Sequence, residues 1–216
     1  MNRSVAIHHH ESASPPPAQN LSADEQRIVE VAHALYTRLP LQGACYQYSF
    51  FLHYYLKKRY GIQGSVEVGF IRNAINGCYA SHAWYVYRGQ ITDLAVSRPY
   101  NPEHNAPGAL IMLGQIITPG ALWHYHPEKA PEAVRALRNL LEIPSDDPND
   151  IVSYAKHIHI KTSNAAKSMI GIRAYLDEAP RGMTYRDLVT LVEQVPTAAP
   201  IAAPNTLSYL LSSNVV

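Results

Sequence analysis

Two cysteines, eleven histidines and seventeen carboxylates are the groups in this 216-residue sequence with the means for nucleophilic or proton-transfer chemistry. Cys45, His82 and Asp93 stand apart by what surrounds them. A cysteine attacks as its thiolate, and the positive end of a helix dipole favours that anion. Cys45 follows a Gly43-containing turn and opens the run Cys-Tyr-Gln-Tyr-Ser-Phe-Phe-Leu-His-Tyr-Tyr-Leu, which predicts the first turn of a buried helix. Such a thiol needs a base, and the base needs a group that orients it. His82 lies in an alternating run, and Asp93 follows it across the Arg88-Gly89 turn. If Tyr87 pairs with Gln90, Asp93 falls opposite Trp84, one diagonal step from His82 on the same sheet face. Diagonal neighbours stand about 7–8 Å apart at the backbone, close enough for two side chains that lean together. The chemistry open to this set is acyl transfer through a thioester.

Other groups compete for these roles. Cys78 precedes His82 on the same predicted strand, but a strand interior lends a thiol no dipole. His124 and His126, and again His157 and His159, form His-x-His pairs that on strands would each face one way, as metal ligands do. No cysteine or carboxylate set accompanies them, so local polarity or the lining of a cleft is expected, with no metal and no cofactor. His8, His9 and His10 fall in a polar, proline-rich opening expected to be a flexible tail.

The elements that must position these residues follow from periodicity. Ser22 and Glu25 form a capping box, opening a helix to about Leu39 with Ile28, Val29, Val31, Ala32, Leu35 and Tyr36 on its apolar stripe. Pro40, Gln42 and Gly43 break it. The helix from Cys45 runs to Tyr60, with Lys57, Lys58 and Arg59 at its negative end and Gly61 as its stop. The period then changes to two, predicting strands over 65–71, 78–87 and 90–96. Helix followed by antiparallel meander indicates an α+β architecture. Beyond Ser97 come a loop (99–108), a short apolar element (109–117), a helix (131–141), a polar linker (144–150), an alternating strand (154–161), and helices over 163–178 and 184–195 broken at Pro180-Arg181-Gly182. A single catalytic domain is expected over 21–195, with its motif region at 43–96, between a tail at 1–20 and an Ala- and Pro-rich tail at 196–216.

Gly43-Ala44-Cys45 opening a helix, Ser81-His82-Ala83-Trp84 on a strand, a glycine turn and Thr92-Asp93 resemble the transglutaminase-like branch of the papain-like cysteine proteinase superfamily. The compact His-to-Asp spacing is similar to that of bacterial proteases that cleave leader peptides in lasso-peptide maturation. The resemblance implies a central helix bearing the cysteine, packed on an antiparallel sheet bearing the histidine and the aspartate. It makes Cys45 the nucleophile, His82 the base, Asp93 the orienting group, and a peptide or small amide the substrate. Papain-type peptidases complete the oxyanion hole with a glutamine several residues before the cysteine. Here Gln42 is three residues before Cys45 and is the candidate, with the Cys45 backbone N–H, while Gln47 inside the helix is expected to point elsewhere. An acyltransferase or transglutaminase would use the same three residue types with an amine replacing water, and a non-catalytic binding module on this fold is the remaining alternative.

Composition bounds the partners. Apolar residues at 47% support a sizeable core, and 16% charged residues with a net charge of +1 provide no field to draw in nucleic acid or an anionic membrane. Two cysteines are too few for a disulfide scaffold, and no signal peptide or run long enough to span a bilayer is present, so a cytoplasmic protein is expected.

Overall fold

The computed structural model describes residues 21–145, 147 and 150–194. The predicted tails at 1–20 and 196–216 and part of the 144–150 linker lie outside the described residues. The architecture is α+β. Helix α1 (Ala23–Arg38) starts at the capping box, where Ser22 Oγ accepts from the Glu25 N–H and Glu25 reaches back to the Ser22 N–H. Helix α2 (Cys45–Tyr60) ends at Gly61 in the left-handed conformation. Every residue of its first two turns, Cys45 through Leu52, is buried, as its nearly continuous apolar and aromatic run requires.

Strands β1 (Ser65–Asn73), β2 (Tyr79–Tyr87) and β3 (Gln90–Thr92) follow as an antiparallel meander. The β2–β3 turn has Arg88 and Gly89 both at positive φ, and it sets Tyr87 opposite Gln90 and Tyr85 opposite Thr92. Strands β4 (Leu110–Met112) and β5 (Gln115–Thr118) form a separate hairpin, and β6 (Trp123–Pro127) joins the main sheet beside β1, giving the order β3-β2-β1-β6. Helices α3 (Pro131–Glu142), α4 (Ile151–Ala165), α5 (Met169–Asp177) and α6 (Tyr185–Glu193) complete the chain, with a 3₁₀ turn at Pro180–Gly182 before the last.

The side-chain alternation of β2 divides its neighbours. Ala83, Tyr85 and Tyr87 pack into the core under α2, together with α1, α5 and α6. His82 and Trp84 fall on the other face, where Trp84 joins Ile71, Val96 and Trp123. Around α2 the core is largely aromatic, with Phe51 stacked on Tyr55 at 5.1 Å and Phe50 edge-on to Tyr175 at 5.0 Å.

Four expectations change. The third strand was expected to run through Val96 but stops at Thr92. Asp93 Oδ1 accepts from the backbone N–H groups of Ala95 and Val96, a local turn that competes with the ladder and lifts the chain off β2. The apolar element at 109–117 is two strands, because Leu113 and Gly114 at positive φ turn it back on itself. The segment 154–161 is not a strand but lies within α4, whose start is fixed by Asp150 accepting from the Val152 and Ser153 N–H groups. Finally, the helix expected over 163–178 is interrupted, since Ser168 Oγ accepts from the Gly171 N–H and begins α5 afresh.

Candidate active site

His82 and Asp93 form a buried pair. Nε2 of His82 lies 2.7 Å from Asp93 Oδ2, with the two residues 5% and 2% exposed. Asp93 sits at the point where the chain leaves β3, held by a backbone bridge to Ile111 on β4. Its carboxylate accepts four hydrogen bonds: Oδ2 from His82 and from the Tyr125 hydroxyl at 2.8 Å, Oδ1 from the Ala95 and Val96 N–H groups. Burial alone would favour the neutral carboxyl, but the His82 charge and these donors hold its pKa below the ordinary carboxylate range. Burial also disfavours an imidazolium. The Asp93 charge and the Cys45 sulfur outweigh that penalty and push the His82 pKa up to about 10. Tyr125 stays a donor, because burial and the Asp93 charge raise its hydroxyl well above its ordinary value. Trp84 closes the outer side of the pair, its ring nearly parallel to His82 and edge-on to Tyr125.

Cys45 reaches this pair from the start of α2. The sulfur lies close enough to the His82 ring to favour its protonated form. With Nε2 committed to Asp93, Nδ1 is the ring nitrogen left for the sulfur. Because β3 stops opposite Tyr85, the edge of β2 beside His82 carries no strand, and there Cys45, Ala95 and Val96 line a cleft together with His82. Cys45 is the first residue of α2, whose N-cap, Ala44, offers no side-chain hydrogen bond. The first-turn N–H groups therefore lack a capping partner, next to the sulfur. The turn before it is held by the Gly43 N–H donating to the Arg98 carbonyl at 2.7 Å. The cleft encloses about 1060 Å³, with Tyr79, Tyr100, Trp123, Tyr154 and Tyr175 among its lining side chains.

A second buried polar chain runs beside the pair. The Tyr46 hydroxyl lies 2.5 Å from Ser81 Oγ, which lies 2.5 Å from Nδ1 of His159 on α4. Tyr46 and Ser81 are the sequence neighbours of Cys45 and His82, so this chain ties α4 to both elements that carry the site. Burial keeps the His159 ring toward its neutral form, and its face packs on Phe70 at 4.6 Å.

The remaining residues singled out from the sequence lie elsewhere. Gln42 is exposed on the turn before α2 and does not line the cleft. Gln47 does line it, but its amide donates to the Met183 carbonyl at 3.2 Å. Cys78 is exposed in the turn before β2, and both cysteines are free thiols. On α4, two positions apart means roughly opposite sides of a helix, so His159 is buried while His157 is exposed. On β6, His126 packs against Tyr79 while His124 is exposed. Among the described residues, none of these histidines joins a group able to hold a metal ion.

Tyr125 was missed. It sits between the two histidines of β6, and only the pairing of β6 beside β1 reveals that its hydroxyl serves Asp93. Among the described residues, no helix is long and apolar enough to cross a membrane. Comparison with protein-family models, with curated proteins and with solved structures finds no match to this chain.

Proposed function

We propose that this chain is a cysteine-dependent acyl-transfer enzyme of the transglutaminase-like, papain-related type, cleaving an amide bond in a peptide or small amide. The observation that carries the reading is the His82–Asp93 pair at 2.7 Å, buried, with the Cys45 sulfur as the other group that favours the imidazolium. A strand histidine serving only the packing would need one hydrogen bond. It would not require a buried carboxylate on one side and a helix-start thiol on the other.

In this reading the Cys45 thiolate attacks the substrate carbonyl carbon, forming a C–S bond as the carbonyl π electrons move to oxygen. The first-turn N–H groups of α2, that of Cys45 foremost, hold the oxyanion. Gln42, exposed and outside the cleft, has no part. His82 donates its Nδ1 proton to the amine nitrogen as the C–N bond breaks, leaving a thioester and a neutral ring. The ring then takes a proton from water as its oxygen attacks the thioester, and the acid departs with the thiolate restored. Asp93 keeps Nε2–H pointed at itself throughout, which fixes the tautomer. An amine in place of that water turns the same steps into acyl transfer.

The test is labelling of the folded protein with an electrophilic acyl probe, followed by peptide mapping. The adduct is expected on Cys45 alone and is expected to vanish in Cys45→Ala. Equal modification of Cys78, or an adduct unaffected by His82→Ala, would overturn the reading. Added amine that diverts the product from acid to amide would mark a transferase.

A further inference from the structure

Lys161, Glu178 and Arg181 line the cleft. Lys161 and Glu178 pair with each other. Arg181 has no carboxylate partner among the described residues. Its Nη2 donates to the Gly43 carbonyl at 3.1 Å, and its guanidinium carbon lies 5.4 Å from the centre of the Tyr100 ring. A guanidinium has five N–H donors, so most of its capacity is unused, and the side chain is exposed where it lines the cleft. Its place is near the thiol, because Gly43 is two residues before Cys45 in the chain and Cys45, Tyr175 and Arg181 line the same cleft.

The backbone adds a further observation. Arg181 sits at φ 60 and Ala179 at φ 53, in the left-handed region that residues other than glycine rarely adopt. Gly43 faces it at φ 60, and a Cβ there would come within 3.3 Å of the guanidinium and 2.8 Å of Tyr100 Cβ. The two segments meet where the Arg181 guanidinium donates to the Gly43 carbonyl, two residues before the thiol.

We infer that Arg181 is the anion-binding residue of this cleft, and that the substrate carries a carboxylate beside the acyl group it presents to Cys45. The inference rests on the thiol chemistry proposed above and adds the substrate class. A planar guanidinium fork matches a carboxylate. The carboxylate belongs either to an acidic side chain next to the scissile bond or to a free chain terminus.

Two alkylating agents of nearly the same size test this. Iodoacetate and iodoacetamide each form a bond from the thiolate sulfur to their methylene carbon and release iodide, differing only in a carboxylate against an amide. The ratio of their rates at Cys45, measured by peptide mapping, cancels any change in the thiol itself, and exposed Cys78 in the same molecule is the reference. The ratio is expected to exceed that at Cys78 by up to about tenfold at low salt. It should fall several-fold in Arg181→Gln and be largely kept in Arg181→Lys. A Cys45 ratio equal to that of Cys78, or one indifferent to Arg181→Gln, would overturn the inference while leaving the thiol chemistry standing. A Cys45 inert to both agents would overturn both. Protection of Cys45 from iodoacetamide then separates the sources. N-acetylglutamate α-amide protects if a side-chain carboxylate is read, and N-acetylglutamine if a terminal one is. Equal protection by neutral N-acetylglutamine α-amide would count against any carboxylate.

Discussion

A carboxylate buried as deeply as Asp93 remains an anion only when its lone pairs are filled, and His82, Tyr125, Ala95 and Val96 fill them. Unpairing such a charge costs about 3–5 kcal/mol, so Asp93→Ala should lower the free energy of unfolding by that order. Asp93→Asn keeps the shape and loses the charge that supports the imidazolium. It should slow Cys45 alkylation by iodoacetamide at neutral pH by at least about tenfold. The pair also sets a pH profile. His82 is raised to about 10 from the roughly 6.5 of a free imidazole, so its pairing contributes fully to stability below about pH 6.5 and is lost as pH rises through 10. Asp93 is depressed, so its contribution is full above the ordinary value of about 4 and is lost as pH falls through the folded value. Urea midpoints should therefore be highest between about pH 4 and 6.5 and decline toward pH 10, and His82→Gln should flatten the alkaline side. An alkaline slope unchanged in that variant would mean that other groups govern it.

The elements that carry the site differ in how plainly the sequence announces them. Helix α2 and the β2–β3 hairpin are legible because their determinants are local: an unbroken apolar run ended by Gly61, and a two-residue turn that fixes which residue faces which. The register placed Asp93 near His82 for a sound reason. It could not show that Asp93 would leave the strand, since that depends on side-chain capture of two N–H groups and on a distant partner, Ile111. Strand β6 and helix α4 were hidden for the same cause. The alternation over 154–161 is real, but Asp150 capping and burial of His159, Thr162 and Ser163 against the body of the protein decide for helix. Strand β6 depends on a close approach to β1 at Gly69, where an added Cβ would lie 2.2 Å from the His126 carbonyl oxygen. Backbone cannot yield there as a flexible side chain would. Gly69→Ala should thus push β6 off the sheet and cost about 2 kcal/mol or more of stability. Because Tyr125 moves with β6, it should also slow Cys45 alkylation. A Gly69→Ala protein with an unaltered melting temperature would show that the β1–β6 contact is looser than this.

At the scale of the molecule, the site depends also on α1 and α6, neither of which lines the cleft. Helix α2 is clasped between the sheet and α1, α5 and α6, and Leu188 of α6 is fully buried in the same core cluster as Cys45, Ala83 and Tyr85. Truncating it in Leu188→Ala removes apolar contact and leaves a cavity, at a cost of about 2–5 kcal/mol. What distinguishes a shared core from a helical appendage is where that loss is felt. Both tryptophans of the chain, Trp84 and Trp123, lie on strands of the main sheet, on the face away from α2. Their fluorescence therefore reports the sheet, while far-ultraviolet circular dichroism reports mostly the helices. If the core is continuous, Leu188→Ala should shift both urea transitions together and by the same amount, since one cooperative unit loses stability as a whole. If α5 and α6 formed a unit of their own, the dichroism transition would move and the tryptophan transition would stay. The second result would mean that α2 is held at its place beside His82 by the sheet alone. Because α2 packs its Phe51 and Tyr54 rings against Tyr185 of α6, at 5.8 and 5.1 Å between ring centres, the coincident shift is the expected one.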